Sequence, residues 1–248
     1  FKETDQYLWM TVGDLHDIAD GFDLSSAVQK NLSLEDREYE NNGITSVKQN
    51  YSYKKIQMYK ETIHYFDILF GILFSYLENN YQNNEMLISL FSDHGQGYLV
   101  PSGKHFLSKE RTNVAFMFRG SNVKSIISDE IISTADYLPI MCKLADIDLD
   151  NIPIDGRLPK IFGGEQERSY AITESIHPGD IYSAVANAKD YVIYFDNTEK
   201  TDDEGRFLLG DYKVYGYYKN GTPITDENLL KHFSKIFLTR IKEHIIYQ

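Results

Sequence analysis

The sequence predicts an α/β fold: a mainly parallel sheet sandwiched by helices, followed by a small antiparallel sheet and a closing helix. Three features carry that expectation. Over residues 1–150 the hydrophobic pattern runs strand, helix, strand, strand, helix, the order of a layered α/β unit. The first strand is nearly continuous in apolar character, as strands covered on both faces are. Beyond residue 150 the pattern changes to short alternating strands broken by turn residues. The chain is therefore expected to divide into a larger α/β unit, 1–150, and a smaller α+β unit, 151–248.

Taken in order, "YLWMTVGD" (Tyr7 to Asp14) is β-rich and reads as a buried strand. Residues 20–50 carry scattered charge, Asn and Ser and read as a long irregular excursion, either a solvated loop or a lid over a site. Tyr59, Ile63, Phe66, Phe70, Leu73 and Leu77 then step by three and four residues, making the apolar stripe of a long helix that ends near Asn79–Asn80. "EMLISLFS" (Glu85 to Ser92) and "NVAFMFRG" (Asn113 to Gly120) read as further strands, and "STADYLPIMCKLADI" (Ser133 to Ile147) as a helix with a Ser/Thr start. "PIDGRLPKIFGG" is Pro/Gly-rich and loop-like. Beyond it "RSYAITES", "IYSAVANA", "YVIYFD" and "RFLLGDYKVYGYY" read as strands, Asn220–Gly221 as a turn, and Asp226 to His244 as the last helix.

Composition narrows the function. The chain has 248 residues, 42% apolar and 25% charged, with 19 Tyr and 14 Phe to build a core. Its net charge of -12 argues against a nucleic-acid partner, which needs a basic face. Any anionic substrate must then be held by a few local cations or a metal. No apolar run reaches the roughly 18 residues of a membrane span. The start at Phe1 shows neither a signal-peptide pattern nor an initiator Met, so the chain reads as a piece of something longer. The one cysteine, Cys142, leaves no internal disulfide.

Chemistry concentrates in "LISLFSDHGQGYLVPSGKH" (Leu87 to His105). Asp93 and His94 sit where a buried strand gives way to a loop, the place where open α/β sheets put their ligands. A carboxylate beside an imidazole suits a divalent cation, and Gly95 lets the backbone turn tightly next to it. The same residues also fit a plain turn that stops a strand. His16, in "GDLHD", repeats the pattern of His with Asp at a strand end, with a surface His in a polar loop as the other reading. Lys104 lies on the loop that leaves the Asp-His pair, within reach of an anion held by a metal.

Together these segments resemble the sulfatase family of the alkaline-phosphatase superfamily. "YLWMTVGDLHD" looks like the family's strand leading to a substrate-contacting His. The helix is similar in carrying Tyr59, Tyr65, Asp67 and Gly71. "LISLFSDHG" resembles the metal-binding strand end, and "SGKHFLSKE" the Gly-Lys loop with its acidic residue, here Lys104 and Glu110. Asp136 and Pro139 match a D-x-x-P helix, and "IDGRLPKIFGG" the segment leading into a small C-terminal subdomain.

The resemblance implies an alkaline-phosphatase-like α/β fold and roles for particular residues. Asp93 and His94 would ligate one divalent metal, calcium first, with manganese or zinc as alternatives. Lys104 and His16 would contact the sulfate oxygens or protonate the leaving oxygen, and His177 would face the substrate. The expected substrate is a small-molecule or carbohydrate sulfate ester, with no nucleic acid and no membrane span involved, and the expected location is extracytoplasmic. Three departures stand out, one being that Cys142 is not followed by the Pro and Arg of a sulfatase nucleophile motif and reads as a buried small hydrophobe. Asn113–Val114–Ala115 replaces the family's Arg-Val-Pro, and no Cys/Ser-x-Pro-x-Arg nucleophile motif occurs anywhere in the chain. The nucleophile is therefore expected on a missing N-terminal segment, leaving the isolated chain inactive. A phosphoryl-group transferase or phosphodiesterase of the same superfamily, and a non-catalytic sulfatase-like binding module, are the competing readings.

Overall fold

The computed structural model describes residues 7–11, 53–82, 86–101, 103–120, 123–149, 152–176 and 180–246. Helix α1, Tyr53–Asn80, fills the span its periodicity predicts. Its half-buried face carries Tyr59, Phe66, Phe70, Phe74 and Leu77. Ile63 and Leu73, expected on that stripe, are exposed, because the helix turns about 100° per residue and Thr62 and Phe74 take the inward positions instead. The Phe66, Phe70 and Phe74 rings follow one another along the half-buried face, tilted, with centroids 6.1 and 6.2 Å apart.

Strands β1, Leu87–Phe91, and β2, Phe116–Gly120, pair antiparallel, with Leu87 opposite Gly120 and Phe91 opposite Phe116. This corrects the expectation of a mainly parallel sheet for the described residues. A parallel partner needs a crossover that returns the chain to the start of the first strand. Between β1 and β2 lie a 3₁₀ turn, Gly97–Leu99, and a single helical turn, α2, Lys109–Thr112. No long helix spans the sheet there, and the chain doubles back. The strand expected at Tyr7 to Asp14 is not formed over residues 7–11, which have no ladder partner. Trp9 instead packs edge-on against Phe91, 5.5 Å away.

Helix α3, Tyr137–Leu144, follows a 3₁₀ turn at Thr134–Asp136. Tyr137 lies 4.3 Å from Phe91 and its hydroxyl meets Ser89 Oγ at 2.8 Å, fixing α3 on the β1–β2 pair. Asp136 is buried and gathers three donors: the Ser133 amide at 2.8 Å, the Arg157 amide at 2.9 Å and the Arg168 guanidinium. A methyl on Gly156 would stand 2.0 Å from the Ala135 carbonyl, so the two chain segments touch backbone to backbone there. Cys142 is buried in α3.

The C-terminal region is an antiparallel sheet in the order β3 (Tyr170–Ser175), β4 (Ile181–Ala188), β5 (Tyr191–Lys200), β7 (Tyr212–Tyr218). The run expected from Arg206 to Tyr218 is split at Gly210, and its first part, β6 (Phe207–Leu208), pairs in parallel with β8 (Ile245–Ile246). Helix α4, Glu227–Arg240, is capped by Asp226, whose carboxylate accepts from the Asn228 and Leu229 amides at 2.9 and 3.1 Å.

Both faces of this sheet are covered, and the period of two sorts the residues. Tyr182, Ala184, Ala186, Ile193 and Phe195 point to α4 and pack on Phe233 and Phe237. Val185 and Tyr194 point the other way and pack on Phe106 and Leu107, in the loop that bears Lys104. That loop therefore rests on the outer face of the C-terminal sheet.

Candidate functional site

Asp93 and His94 lie just past β1, separated from its last residue, Phe91, by Ser92. The Asp93 carboxylate accepts from the His94 amide at 2.8 Å, which holds the side chain against its own backbone. His94 Nδ1 lies 3.0 Å from the Gly95 carbonyl. A carbonyl can only accept, so Nδ1 carries the proton and Nε2 presents a lone pair. That lone pair stands 3.4 Å from Asp93 Oδ2. Two donors each about 2.0–2.5 Å from one ion are separated by about 3–3.5 Å, so the pair fits two adjacent positions on a divalent cation. Among the described residues no group of three or more His, Cys, Asp and Glu side chains gathers around a common point. The pair by itself therefore falls short of the three protein ligands usual for a catalytic ion.

Gly95 ties this turn to α2. Its amide donates to the Arg111 carbonyl at 2.8 Å, and its carbonyl accepts from the Arg111 guanidinium. A Cβ at Gly95 would stand 2.0 Å from the Glu110 carbonyl oxygen, so no other residue fits here without moving the backbone. Arg111 also lies over the Phe106 ring, 5.0 Å from its centroid. Burial pushes the guanidinium below its usual pKa while Asp93 pulls it back up. A largely desolvated cation that senses Asp93 is suited to an anion brought to the Asp-His pair.

Lys104 reaches the same α2 turn from the other side. Its ammonium lies 3.4 Å from Glu110 Oε1, and Ser108 Oγ donates to Glu110 Oε2 at 2.7 Å. Burial would raise the Glu110 carboxyl, but the Ser108 hydroxyl, its own backbone amide and Lys104 outweigh it and hold the group below the ordinary glutamate value. The turn Lys109–Thr112 thereby links the Asp93–His94 pair, through Gly95 and Arg111, to Lys104, through Glu110.

His105 is the residue whose role the sequence did not disclose. The Leu107 amide donates to its Nδ1 at 3.0 Å, so Nε2 carries the proton and donates to Asp196 Oδ1 at 2.9 Å. Asp196 also accepts from Ser183 Oγ and from the Tyr215 hydroxyl, each at 2.8 Å. Burial alone would raise Asp196, yet the His105, Tyr215 and Ser183 bonds hold it below the usual aspartate range. The His105 ring lies 4.2 Å from that of Tyr194, whose phenol burial pushes up to about 12. The available signal was Ser183 and Asp196, polar residues set within apolar strands on the face turned from α4. His16 and His177, the other two expected site residues, lie outside the described residues.

Among the described residues no helix is long and apolar enough to cross a membrane. A family model described as Sulfatase matches residues 4–147, more than half of the chain. No curated protein and no solved structure matches the chain.

Proposed function

Because the chain belongs to the sulfatase family, we propose that it forms part of a metal-dependent hydrolase of sulfate esters, with sugar sulfates as the substrate class. The carrying observation is that Asp93–His94 and Lys104 are anchored to one helical turn, Lys109–Thr112, by hydrogen bonds from both sides. In this reading Asp93 and His94 would hold a divalent cation, calcium before manganese or zinc, which would supply positive charge beside the sulfate. Further ligands come from outside the pair, since catalytic ions usually take three or more protein ligands.

Lys104 contacts the non-bridging oxygens or protonates the leaving oxygen, a role shared with His16. Arg111 adds a desolvated positive charge, and His177 faces the rest of the substrate. As the bond from nucleophile to sulfur forms, the ester S–O bond breaks and the leaving oxygen takes a proton. Cations fixed in place before the reaction stabilise that developing charge without reorganising. The attacking group is not supplied by these residues, which contain no Cys/Ser-x-Pro-x-Arg. The isolated chain is therefore expected to turn over slowly or not at all. Function outside the cytoplasm belongs to the same proposal.

The test is hydrolysis of 4-nitrophenyl sulfate, 4-nitrophenyl phosphate and a phosphodiester by the protein its gene encodes. Sulfate hydrolysis that is lost on chelation and falls about 10²–10³-fold in Lys104→Ala supports the reading. Preference for a phosphate ester would move the assignment to phosphoryl transfer. Silence on all three substrates would leave a binding module.

A further inference from the structure

We propose that His105 is a positioning residue for Lys104, and that the C-terminal sheet sets the reach of the lysine through the His105–Asp196 pair. The inference rests on the reading of Lys104 as the cation that contacts the ester. Its geometry is independent of that reading. His105 follows Lys104 directly in the chain, and its side chain is 7% exposed against 51% for Lys104. The imidazole is held at both nitrogens, by the Leu107 amide and by Asp196. Asp196 is in turn fixed from two strands, by Ser183 on β4 and Tyr215 on β7. Below it Phe106 and Leu107 pack on Val185 and Tyr194, and Thr112 Oγ1 lies 3.4 Å from Asn187 Nδ2.

The loop is thus pinned to the sheet on the inner side of Lys104, while Lys104 meets Glu110 on the outer side. A buried, hydrogen-bonded acid is an expensive way to hold a loop unless its place matters. A catalytic cation is such a case, since a displacement of about 1 Å can cost about 10²-fold in rate.

Three substitutions separate the roles. His105→Asn keeps an acceptor for the Leu107 amide but does not reach Asp196. His105→Gln places an amide donor near the Nε2 position and keeps the bond to Asp196. Tyr215→Phe removes one donor from Asp196 and should move Lys104 acetylation in the same direction as His105→Asn, by less. The full chain is trace-acetylated with acetic anhydride, and the rate at each lysine is read by mass spectrometry, with Lys213 and Lys231 as internal references. Acetylation of Lys104 relative to those references should rise about two- to fivefold in His105→Asn, the size an exposed ion pair supports. It should return to the original rate in His105→Gln, and should not rise further when Glu110→Gln is added to His105→Asn.

In the protein the gene encodes, His105→Asn should lower kcat on 4-nitrophenyl sulfate about tenfold with KM within about twofold, and His105→Gln should recover most of the loss. Unchanged Lys104 acetylation across these variants overturns the positioning role, whatever is hydrolysed. A rise shared equally by all lysines also overturns it, since that is general loosening. A Lys104-specific response in a protein inactive on sulfate esters overturns the functional reading and leaves the His105–Lys104 coupling standing.

Discussion

Lys104 and His105 are neighbours in the chain with opposite surroundings, one half-exposed beside Glu110 and the other sealed against Asp196. Asp196 makes this a pH-sensitive contact. Its carboxyl titrates below the ordinary aspartate range in the folded chain, so its contribution is present above the unfolded pKa and is lost as pH falls through the folded value. Asp196→Asn is expected to cost about 2–4 kcal/mol at pH 7, with the gap to the parent closing as the solution is acidified below about pH 4. Urea titrations at a series of pH values read this directly, and a gap that widens in acid would contradict it. At Gly95 a methyl meets the Glu110 carbonyl. Gly95→Ala should therefore cost about 2 kcal/mol or more and shift the His94 ring signals in NMR spectra. Of the candidate site, Asp93 and His94 are singled out in the sequence by residue type just past a strand, and Lys104 by its place on the loop that leaves them. His105 is not, because the acid that defines its role is 91 residues away and no local pattern encodes a distant partner.

At the scale of elements, helices and strands of the C-terminal region follow their hydrophobic periods closely. β4 begins and ends where the alternation of "IYSAVANA" does, and α1 spans its predicted residues. Pairing direction was not legible, because strand character is a local property while the partner is chosen by what the connection can span. The antiparallel β1–β2 pair follows from the short turns between them. Since the sheet is covered on both faces, its two coverings should respond separately to substitution. Phe237→Ala, on the α4 side, should cost about 3–5 kcal/mol, and Leu107→Ala, on the loop side, about 2–4 kcal/mol. Hydrogen exchange distinguishes them: Leu107→Ala should speed exchange at residues 103–108 while α4 stays protected, and uniform acceleration would contradict that separation.

For the molecule as a whole, the family match ends at residue 147 while the loop bearing Lys104 is seated on strands that begin at Ile181. The Asp136 contacts with Arg157 and Arg168 bind the two stretches a second time. A chain cut after residue 147 is therefore expected to leave Phe106 and Leu107 without their cover and to aggregate or bind a hydrophobic dye, which light scattering or fluorescence would register. The same arrangement imposes an order on synthesis. While a ribosome is still making β5, the Gly-Lys-His segment has already emerged with nothing to lie on. The acid it needs comes next and the Tyr215 hydroxyl later still, so the lysine takes its place among the last events of folding, after nearly the whole polypeptide is free.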